Sequence, residues 1–360
     1  MSETTEAAVA TPAAPTSPDA RPPEAARPAW RRRLALLGFG NVGAVYVWLA
    51  IIVVFSIWAP DTFPTWGTVQ TVLNQNAIPG FIALSLVVPL SARVFDLSVG
   101  NAMGLCSALV AWLLVERHVG IAGAIAITLL GGVAIGLVNA TIVVVLRIDS
   151  FIGTLATGAL MASGVTLLTD EQAIIGPQLS GSFAKIATSN VGGIATPVFV
   201  MFAVAIAVWV LLRYTVTGRR LYATGFNEEG AVLAGIPTRR LRFASLIVSG
   251  VVAGIAGVIL TSQVGSGTPD IGPAYLLDAY AAVFLGATQL GGRFNAWGTV
   301  IAVLLVGTGK NGLAVVGAPL WAESMFSGVV LLAALALTNV ERARDVRAWR
   351  SARRRRATAQ

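Results

Sequence analysis

Residues 215–242 read TVTGRRLYATGFNEEGAVLAGIPTRRLR, a strongly polar passage with a hydrophobic segment on either side. The middle of this passage predicts one short helix. Asn227 is placed to cap its N-terminus, and Glu228 and Glu229 fall in the first turn, where the helix dipole favours anions. Gly235 is placed to end the helix in the left-handed conformation. Because a helix of two turns is too short to be stable alone, we expect a partner outside the membrane to hold it.

The short helix also offers a small apolar ridge. Its members are consecutive in the sequence: Ala231, Val232, Leu233 and Ala234. Arginines flank the helix on both sides, at positions 219 and 220 before it and 239, 240 and 242 after it. An apolar ridge between two basic segments is therefore the predicted contact with the partner.

The composition excludes a soluble domain. Of 360 residues, 56% are hydrophobic and 12% are charged, and the mean hydropathy is +0.77. Ten apolar runs each approach the roughly 20 residues that cross about 30 Å of hydrocarbon. They lie at 43–59, 72–90, 98–115, 121–146, 151–168, 197–213, 243–262, 277–290, 296–312 and 320–338. We predict an all-α polytopic membrane protein of about ten transmembrane helices, the second kinked by its prolines and the eighth intact, broken or re-entrant.

The distribution of lysine and arginine predicts the orientation. With the N-terminus inside, ten spans put almost all basic residues in the cytoplasm, including the cluster at 213–242, and leave only Arg117 and Lys185 outside. This asymmetry is what the positive-inside rule describes, so we expect both termini and residues 215–242 to be cytoplasmic. The net charge of +8 is then a topology signal, and no nucleic-acid partner is expected.

Three parts of the chain follow from this pattern. Residues 1–33 predict a disordered cytoplasmic extension with a basic end, 34–340 the transmembrane domain with its cytoplasmic loop at 215–242, and 341–360 a basic cytoplasmic tail. We expect the tail to contact anionic membrane lipid. The runs before and after the central loop are similar in number and start on opposite sides of the membrane, which suggests an inverted repeat.

Three polar residues near the second to fourth runs are candidates for a wet pathway. Asp96 either caps a helix that begins near Leu97 or faces a cavity, and Ser98 belongs to the same segment. Asn139 lies well inside an apolar run, where it must either find an interhelical partner or line a wet path. Gly131, Gly132 and Gly136 precede it and predict close helix packing.

Three more candidates lie in the eighth and ninth runs. Asp278 begins the short eighth run, and Lys310 and Asn311 close the ninth. Lys310 either snorkels to the outer surface, which we favour, or faces the pathway.

Catalytic chemistry is not visible in the sequence. One cysteine and one histidine exclude a Cys/His metal cluster and an intrachain disulfide. The segment GTGKNG at 307–312 lacks the spacing and the Ser or Thr of a phosphate-binding loop. We therefore expect no bound metal or cofactor and no enzyme activity, so active transport would need a partner or an ion gradient. Gradient-driven carriers usually have acids deep in their spans, whereas Asp96, Asp278 and Glu323 lie near span ends.

Four segments together resemble the permeases of ribose-type ABC importers. They are 218–236 (GRRLYATGFNEEGAVLAGI), 95–100 (FDLSVG), 151–155 (FIGTL) and 277–292 (LDAYAAVFLGATQLGG). The resemblance covers roughly residues 40–338. Where the family has glycines before Asp96 this chain has Arg93 and Val94, and where it has an Asn pair before Gly312 this chain has Lys310 and Asn311.

This resemblance implies a transport subunit in the plasma membrane of a prokaryote. Its implied partners are a second permease copy, cytoplasmic ABC ATPase subunits that bind ATP and Mg²⁺, and an external sugar-binding protein. The implied ATPase-coupling residues are Asn227, Glu228, Glu229, Ala231, Leu233 and Gly235. The candidate pathway residues are Asp96, Ser98, Asn139, Asp278, Lys310 and Asn311. A permease for a branched-chain amino acid or nucleoside, or a carrier that needs no partner, is the alternative to a monosaccharide importer.

Overall fold

The computed structural model describes residues 39–289 and 292–336. Its helices are α1 (Phe39–Trp58), α2 (Trp66–Gln75), α3 (Ala77–Ser91), α4 (Val99–Val115), α5 (Ile121–Ala140), α6 (Ser150–Thr169), α7 (Lys185–Thr188), α8 (Thr196–Tyr214), α9 (Val216–Phe226), α10 (Glu228–Leu233), α11 (Thr238–Val264), α12 (Ala274–Ala287), α13 (Ala296–Val315) and α14 (Leu320–Ala336). A π-helical turn (Thr141–Val145) continues α5, and a 3-10 turn spans Pro177–Leu179. The predicted extension at 1–33 and tail at 341–360 lie outside the described residues.

Each predicted apolar run overlaps a helix, so the protein is a mostly helical membrane protein, as expected. Five helices of the described residues are long and apolar enough to cross a bilayer: α5 with its π turn, α6, α8, α11 and α13. The pair α2 and α3 passes the same criterion jointly, with a bend of 47° between them. The apolar helices α1 (from Gly43), α4, α12 and α14 are shorter. The count of ten spans and the inward termini stay predictions.

The predicted kink of the second span is confirmed. It lies at Asn76, between α2 and α3, where the Asn76 side chain donates to the carbonyl oxygen of Val72 at 2.7 Å. Pro79 lies in the first turn of α3, where a proline costs little because the first N–H groups of a helix have no intrahelical acceptor.

The centre of the molecule is α11, which packs against α3, α4 and α5. A Cβ atom on Gly132 would lie 2.6 Å from the carbonyl oxygen of Gly250, and one on Gly136 would lie 2.6 Å from the Cα atom of Ile247. The backbones of α5 and α11 therefore approach closely, which confirms that Gly132 and Gly136 serve packing. Gly131 instead faces the side chain of Leu109.

The segment between α6 and α8 is attached to the bundle at several places, among them the Ser262 hydroxyl of α11, which bonds to the backbone of Phe183 and Ala187. Ile174 forms an antiparallel bridge with Gly267, in the loop after α11. The strands β1 (Asn190–Val191) and β2 (Ile194–Ala195) form a hairpin. The side chains of Gln70 and Asn74 on α2 form hydrogen bonds with backbone atoms of this hairpin. This segment, predicted to be the largest outer loop, is thus held to α2 and α11.

Candidate functional site

The short helix predicted in the central loop is α10, and its ends are built as expected. The side chain of Asn227 accepts a hydrogen bond from the backbone N–H of Gly230 at 3.0 Å. At the other end, Gly235 has a φ of +75°. The N–H groups of Gly235 and Ile236 donate to the carbonyl oxygens of Val232 and Ala231, both at 2.9 Å. These two bonds form a Schellman motif, so both helix ends are satisfied by local sequence.

A second helix, α9, precedes α10 and is absent from the sequence-based prediction. Thr215 caps it by accepting from the N–H of Gly218 at 3.0 Å, a signal that was available in the sequence. The Tyr222 hydroxyl on α9 donates to the carbonyl oxygen of Phe294 at 2.6 Å, and the Arg293 guanidinium lies over its ring. Burial raises the pKa of Tyr222, with Arg293 and Arg213 opposing the shift, so the phenol is a neutral donor at physiological pH. Helix α9 is thereby attached to the loop before α13.

Two arginines of α11 connect the central loop to the helical bundle. Arg242 donates through one nitrogen to both carboxylate oxygens of Glu228, at 2.9 and 3.1 Å. Arg239 donates to the carbonyl oxygen of Val144, in the π turn of α5, at 3.2 Å. A π turn breaks the regular hydrogen-bond pattern of an α-helix, which makes its carbonyl groups available to such donors. Helix α10 is therefore tied to α11, and α11 to α5.

The exposed apolar surface of this loop differs from the predicted ridge. Ala231 is only 5% exposed and faces the protein interior, so its assignment to a partner-contacting ridge is wrong. The exposed side chains are instead Phe226 (91%), Leu233 (89%) and Val232 (55%). The error arose because four consecutive helical residues cannot share one face. We call Phe226, Val232 and Leu233 the coupling face.

An open cleft of about 730 Å³ adjoins the coupling face. Its lining residues are Arg93, Phe226, Asn227, Glu228, Glu229, Val232 and Leu233. Arg93 comes from the non-helical segment between α3 and α4, so the cleft joins the central loop to a second part of the chain. Apolar side chains rimmed by both charge signs are a surface suited to protein contact.

Asp96 lies in that same segment and is the centre of a buried polar cluster. Its Oδ1 atom accepts from the backbone N–H and the hydroxyl of Ser98, at 3.1 and 2.6 Å. Its Oδ2 atom accepts from the Ser249 hydroxyl on α11 at 2.6 Å. Asp96 accepts the backbone N–H two residues on, as an N-terminal cap does, although α4 itself begins at Val99 and Ser98 makes no side-chain capping bond.

Asn139 extends this cluster to two more helices. Its Nδ2 donates to the Ser98 hydroxyl at 2.7 Å, and its Oδ1 accepts from the Thr157 hydroxyl on α6 at 2.7 Å. Of the two alternatives for Asn139, the structure shows the interhelical partner. Asp96, Ser98 and Asn139 are each at most 2% exposed. We call these residues, with Thr157 and Ser249, the Asp96 cluster.

Sequence reasoning missed Ser249 and Thr157. Ser249 had one signal, its position directly before Gly250, where α11 approaches its neighbours most closely. Thr157 had none, because a threonine in an apolar helix usually bonds to its own backbone.

Two of the remaining candidates, Asp278 on α12 and Lys310 on α13, form an ion pair near helix ends that the predicted topology places outside. Lys310 Nζ lies 2.8 Å from Asp278 Oδ2, and the side chains are 29% and 15% exposed. The ammonium group of Lys310 is thus paired with a carboxylate one helix away. That it snorkels to the outer surface stays a prediction. The adjacent Asn311 has a buried Oδ1 atom without a hydrogen-bond partner among the described residues.

Comparison with known proteins agrees with this architecture. Residues 68–335 match the family described as branched-chain amino acid transport system / permease component. The chain is 35% identical over 272 residues to the ribose import permease protein RbsC of Bacillus subtilis (strain 168), covering 75% of this chain and 84% of that protein. It is 32% identical over 298 residues to RbsC of Escherichia coli (strain K12), covering 81% and 91%.

A third relative is the autoinducer 2 import system permease protein LsrD of Escherichia coli (strain SMS-3-5 / SECEC). It is 32% identical over 258 residues, covering 70% of this chain and 78% of LsrD. No solved structure matches the chain significantly. The resemblance to ribose-type permeases is confirmed, and the chain belongs to this permease family as a membrane-embedded, non-enzymatic subunit of an ABC importer.

Proposed function

We propose that this chain forms the translocation path for a monosaccharide in an ATP-driven importer of a prokaryotic plasma membrane. Two relatives that share about a third of its residues are named ribose import permeases. The single observation that carries the proposal is the coupling face, an exposed apolar surface at the end of α9 and on α10, which is capped at both ends and tied to the central helix α11.

The coupling face fits a groove on a cytoplasmic ATPase subunit. Phe226 and Leu233 are almost fully exposed, and an isolated exposed aromatic beside a leucine is the kind of anchor that fills a hydrophobic groove. Asn227, Glu228, Glu229 and Gly235 build and orient the helix and do not supply its apolar surface. ATP and Mg²⁺ bind to the partner, and closure of the ATPase pair displaces α10 and the helices attached to it.

The ion pair of Asp278 and Lys310 is the better candidate for substrate contact. It is partly exposed, whereas every polar side-chain atom of Asp96, Ser98 and Asn139 is buried and bonded. A carboxylate accepts and an ammonium donates hydrogen bonds, so together they match a sugar hydroxyl, which does both.

A second copy of the chain completes the path in this proposal. A partly exposed ion pair is unfavourable against hydrocarbon, so it requires either water or another polar surface. Two copies that enclose Asp278 and Lys310 would supply a water-filled path between them. An external binding protein then delivers the sugar to the end of the path that the predicted topology places outside.

Reconstitution tests the proposal. The chain is coexpressed with the ATPase and the secreted binding protein of a ribose-type importer, and uptake of radiolabelled ribose into proteoliposomes is measured with and without ATP. We expect ATP-dependent uptake only in the presence of all three components. Uptake that needs no ATPase would establish a secondary carrier instead. ATP-dependent uptake of leucine or adenosine but not ribose would assign the alternative substrate classes.

A further inference from the structure

The segment between α3 and α4, residues 92–98, carries an inference that rests on the proposed function and extends it. We propose that this segment, which we call the strap, transmits displacement of the coupling face to the helix bundle, and that Asp96 is its positioning residue. Asp96 acts through Ser249 of α11 and not by touching substrate.

The first residues of the strap, Ala92 to Val94, donate to the last carbonyl groups of α3, whereas its middle is irregular backbone held by side chains of another helix. The N–H of Phe95 donates to the Ser150 hydroxyl at 3.1 Å, and the N–H of Leu97 donates to the Thr154 hydroxyl at 2.9 Å. Both serine and threonine belong to the first turns of α6. Bonds of this kind rearrange without unwinding a helix, so the strap can shift while α3 and α4 stay intact.

One end of the strap is in the coupling region. Arg93 is exposed, has a φ of +56° and lines the cleft beside Phe226. A Cβ atom on Gly225 of α9 would collide with the carbonyl oxygen of Ser91, directly before the strap. Any displacement of α9 and α10 therefore acts on this end by direct contact.

The other end of the strap is held by the central helix. Ser249 lies about 16 Å along α11 from Thr238, since each helical residue adds about 1.5 Å. It donates to Asp96 at 2.6 Å. The first turn of the same helix is joined to α10 through Arg242 and Glu228. The coupling loop thus reaches the strap twice, once at Arg93 and once through α11 at Asp96.

Burial separates this role from substrate contact. Asp96 and Ser98 are 2% and 0% exposed, and Ser249 is 0% exposed. Each oxygen of the Asp96 carboxyl already accepts a hydrogen bond from a hydroxyl at 2.6 Å. A short bond between a hydroxyl and a carboxyl fixes geometry strongly. A saturated, sealed carboxyl that links a strap to a helix is placed to set their relative position.

The test compares two buried serines of α11 in the reconstituted three-component complex. Ser249→Ala removes the donor to Asp96, whereas Ser245→Ala removes a hydroxyl that bonds only to the carbonyl oxygen of Arg242 in its own helix. We expect Ser249→Ala to lower the ribose transported per ATP hydrolysed about fivefold, the change expected from one lost buried hydrogen bond. The KM for ribose uptake stays unchanged, and Ser245→Ala matches the wild type.

Two results would overturn the inference. One is an equal transport-to-hydrolysis ratio in Ser249→Ala and Ser245→Ala. The other is a raised KM in Ser249→Ala with an unchanged ratio, which would make the Asp96 cluster a substrate contact. If the wild-type complex hydrolyses ATP but takes up no ribose, the substrate assignment has failed and not the strap.

A second measurement uses only the wild-type complex, so it does not depend on how the variants fold. Hydrogen exchange of the backbone amides in residues 92–98 is compared between the ADP-bound complex and the complex with a non-hydrolysable ATP analogue. We expect the hydrogen-exchange rates of the Phe95 and Leu97 amides to differ between the two states. When the strap moves, these amides must lengthen or break their hydrogen bonds to the hydroxyl groups of α6. Identical exchange in both states would overturn the inference independently.

Discussion

At the residue scale, burial decides which side chains of the central loop meet a partner. Leu233 is 89% exposed and Ala231 only 5%, although they are two positions apart on one short helix. A charge placed at position 231 would be buried without a partner, so it would disrupt the loop itself. A charge at position 233 remains in solvent and alters only the docked state.

We therefore predict that Leu233→Glu loses co-purification with the ATPase. The free energy of unfolding of the isolated permease should change by less than about 0.5 kcal/mol, as for other surface substitutions, so its thermal midpoint should stay close to that of the wild type. Leu233→Met, which conserves volume, should bind normally and is the matched control. Ala231→Arg should instead lower the midpoint. Wild-type ATPase binding by Leu233→Glu would show that this face is solvated and not docked.

The pair of Asp278 and Lys310 gives a second prediction at this scale. Asp278→Asn and Lys310→Met should each raise the KM for ribose uptake. Each replaces a charged hydrogen-bonding group with a neutral side chain that binds substrate hydroxyls less strongly. The charge-swapped double variant, Asp278→Lys with Lys310→Asp, restores the ion pair and should restore thermal stability but not KM. Full recovery of KM by the swap would mean that the pair is structural.

Single residues also mark the limit of prediction from the sequence. The caps Asn227 and Gly235 were predictable because the residue types and the backbone geometry correspond directly. The partners of Asp96 and Lys310 were not, because Ser249 and Asp278 lie 153 and 32 residues away, and only the packing of the helices brings them together. Polarity near a span end predicted that these residues matter but not what they touch.

At the element scale, the close approach of α5 and α11 depends on glycines whose role is testable. Gly250→Ala would place a Cβ atom against the carbonyl oxygen of Gly132, which is backbone and cannot turn aside. We expect this substitution to cost about 1–3 kcal/mol, the range for overpacked interiors. A thermal unfolding series in detergent measures the effect.

The control for this prediction is Gly328→Ala on α14, where an added Cβ atom meets nothing within 4 Å. That substitution should be neutral or slightly stabilising, because alanine favours helix more than glycine does. Equal midpoints for Gly250→Ala and Gly328→Ala would show that the two helices separate easily.

Element boundaries were predictable where hydrophobicity sets them and not where polar residues do. The apolar runs located every long helix, because a span must be continuous and apolar to cross hydrocarbon. Helix α9 was missed because its sequence contains two glycines and no long apolar run, and its stability comes from Tyr222 bonded to Phe294 and from packing on Ser91. Tertiary contacts of this kind have no local sequence signature.

At the scale of the whole molecule, helix length separates the helices that can cross a bilayer from those that are too short. Helix α12 has 14 residues, which at about 1.5 Å per residue is about 21 Å and shorter than a hydrocarbon core of about 30 Å. Helix α12 alone is therefore too short to cross the hydrocarbon core. The predicted inverted repeat remains a prediction.

The last prediction concerns orientation, which fixes the side on which the coupling face lies. The arginines around α9 to α11 outnumber those of any predicted outer loop, so the positive-inside rule places them in the cytoplasm. Single cysteines at Ser180 and Arg240, both exposed, report the two sides in a Cys106→Ala background. Arg240 is preferable to the neighbouring Thr238, which is only 3% exposed and would react poorly on either side. An impermeant maleimide should label Ser180→Cys in intact cells and Arg240→Cys only after permeabilisation. The reverse pattern would put the coupling face outside, where no cytoplasmic ATPase can reach it, and would exclude the proposed mechanism at its first step.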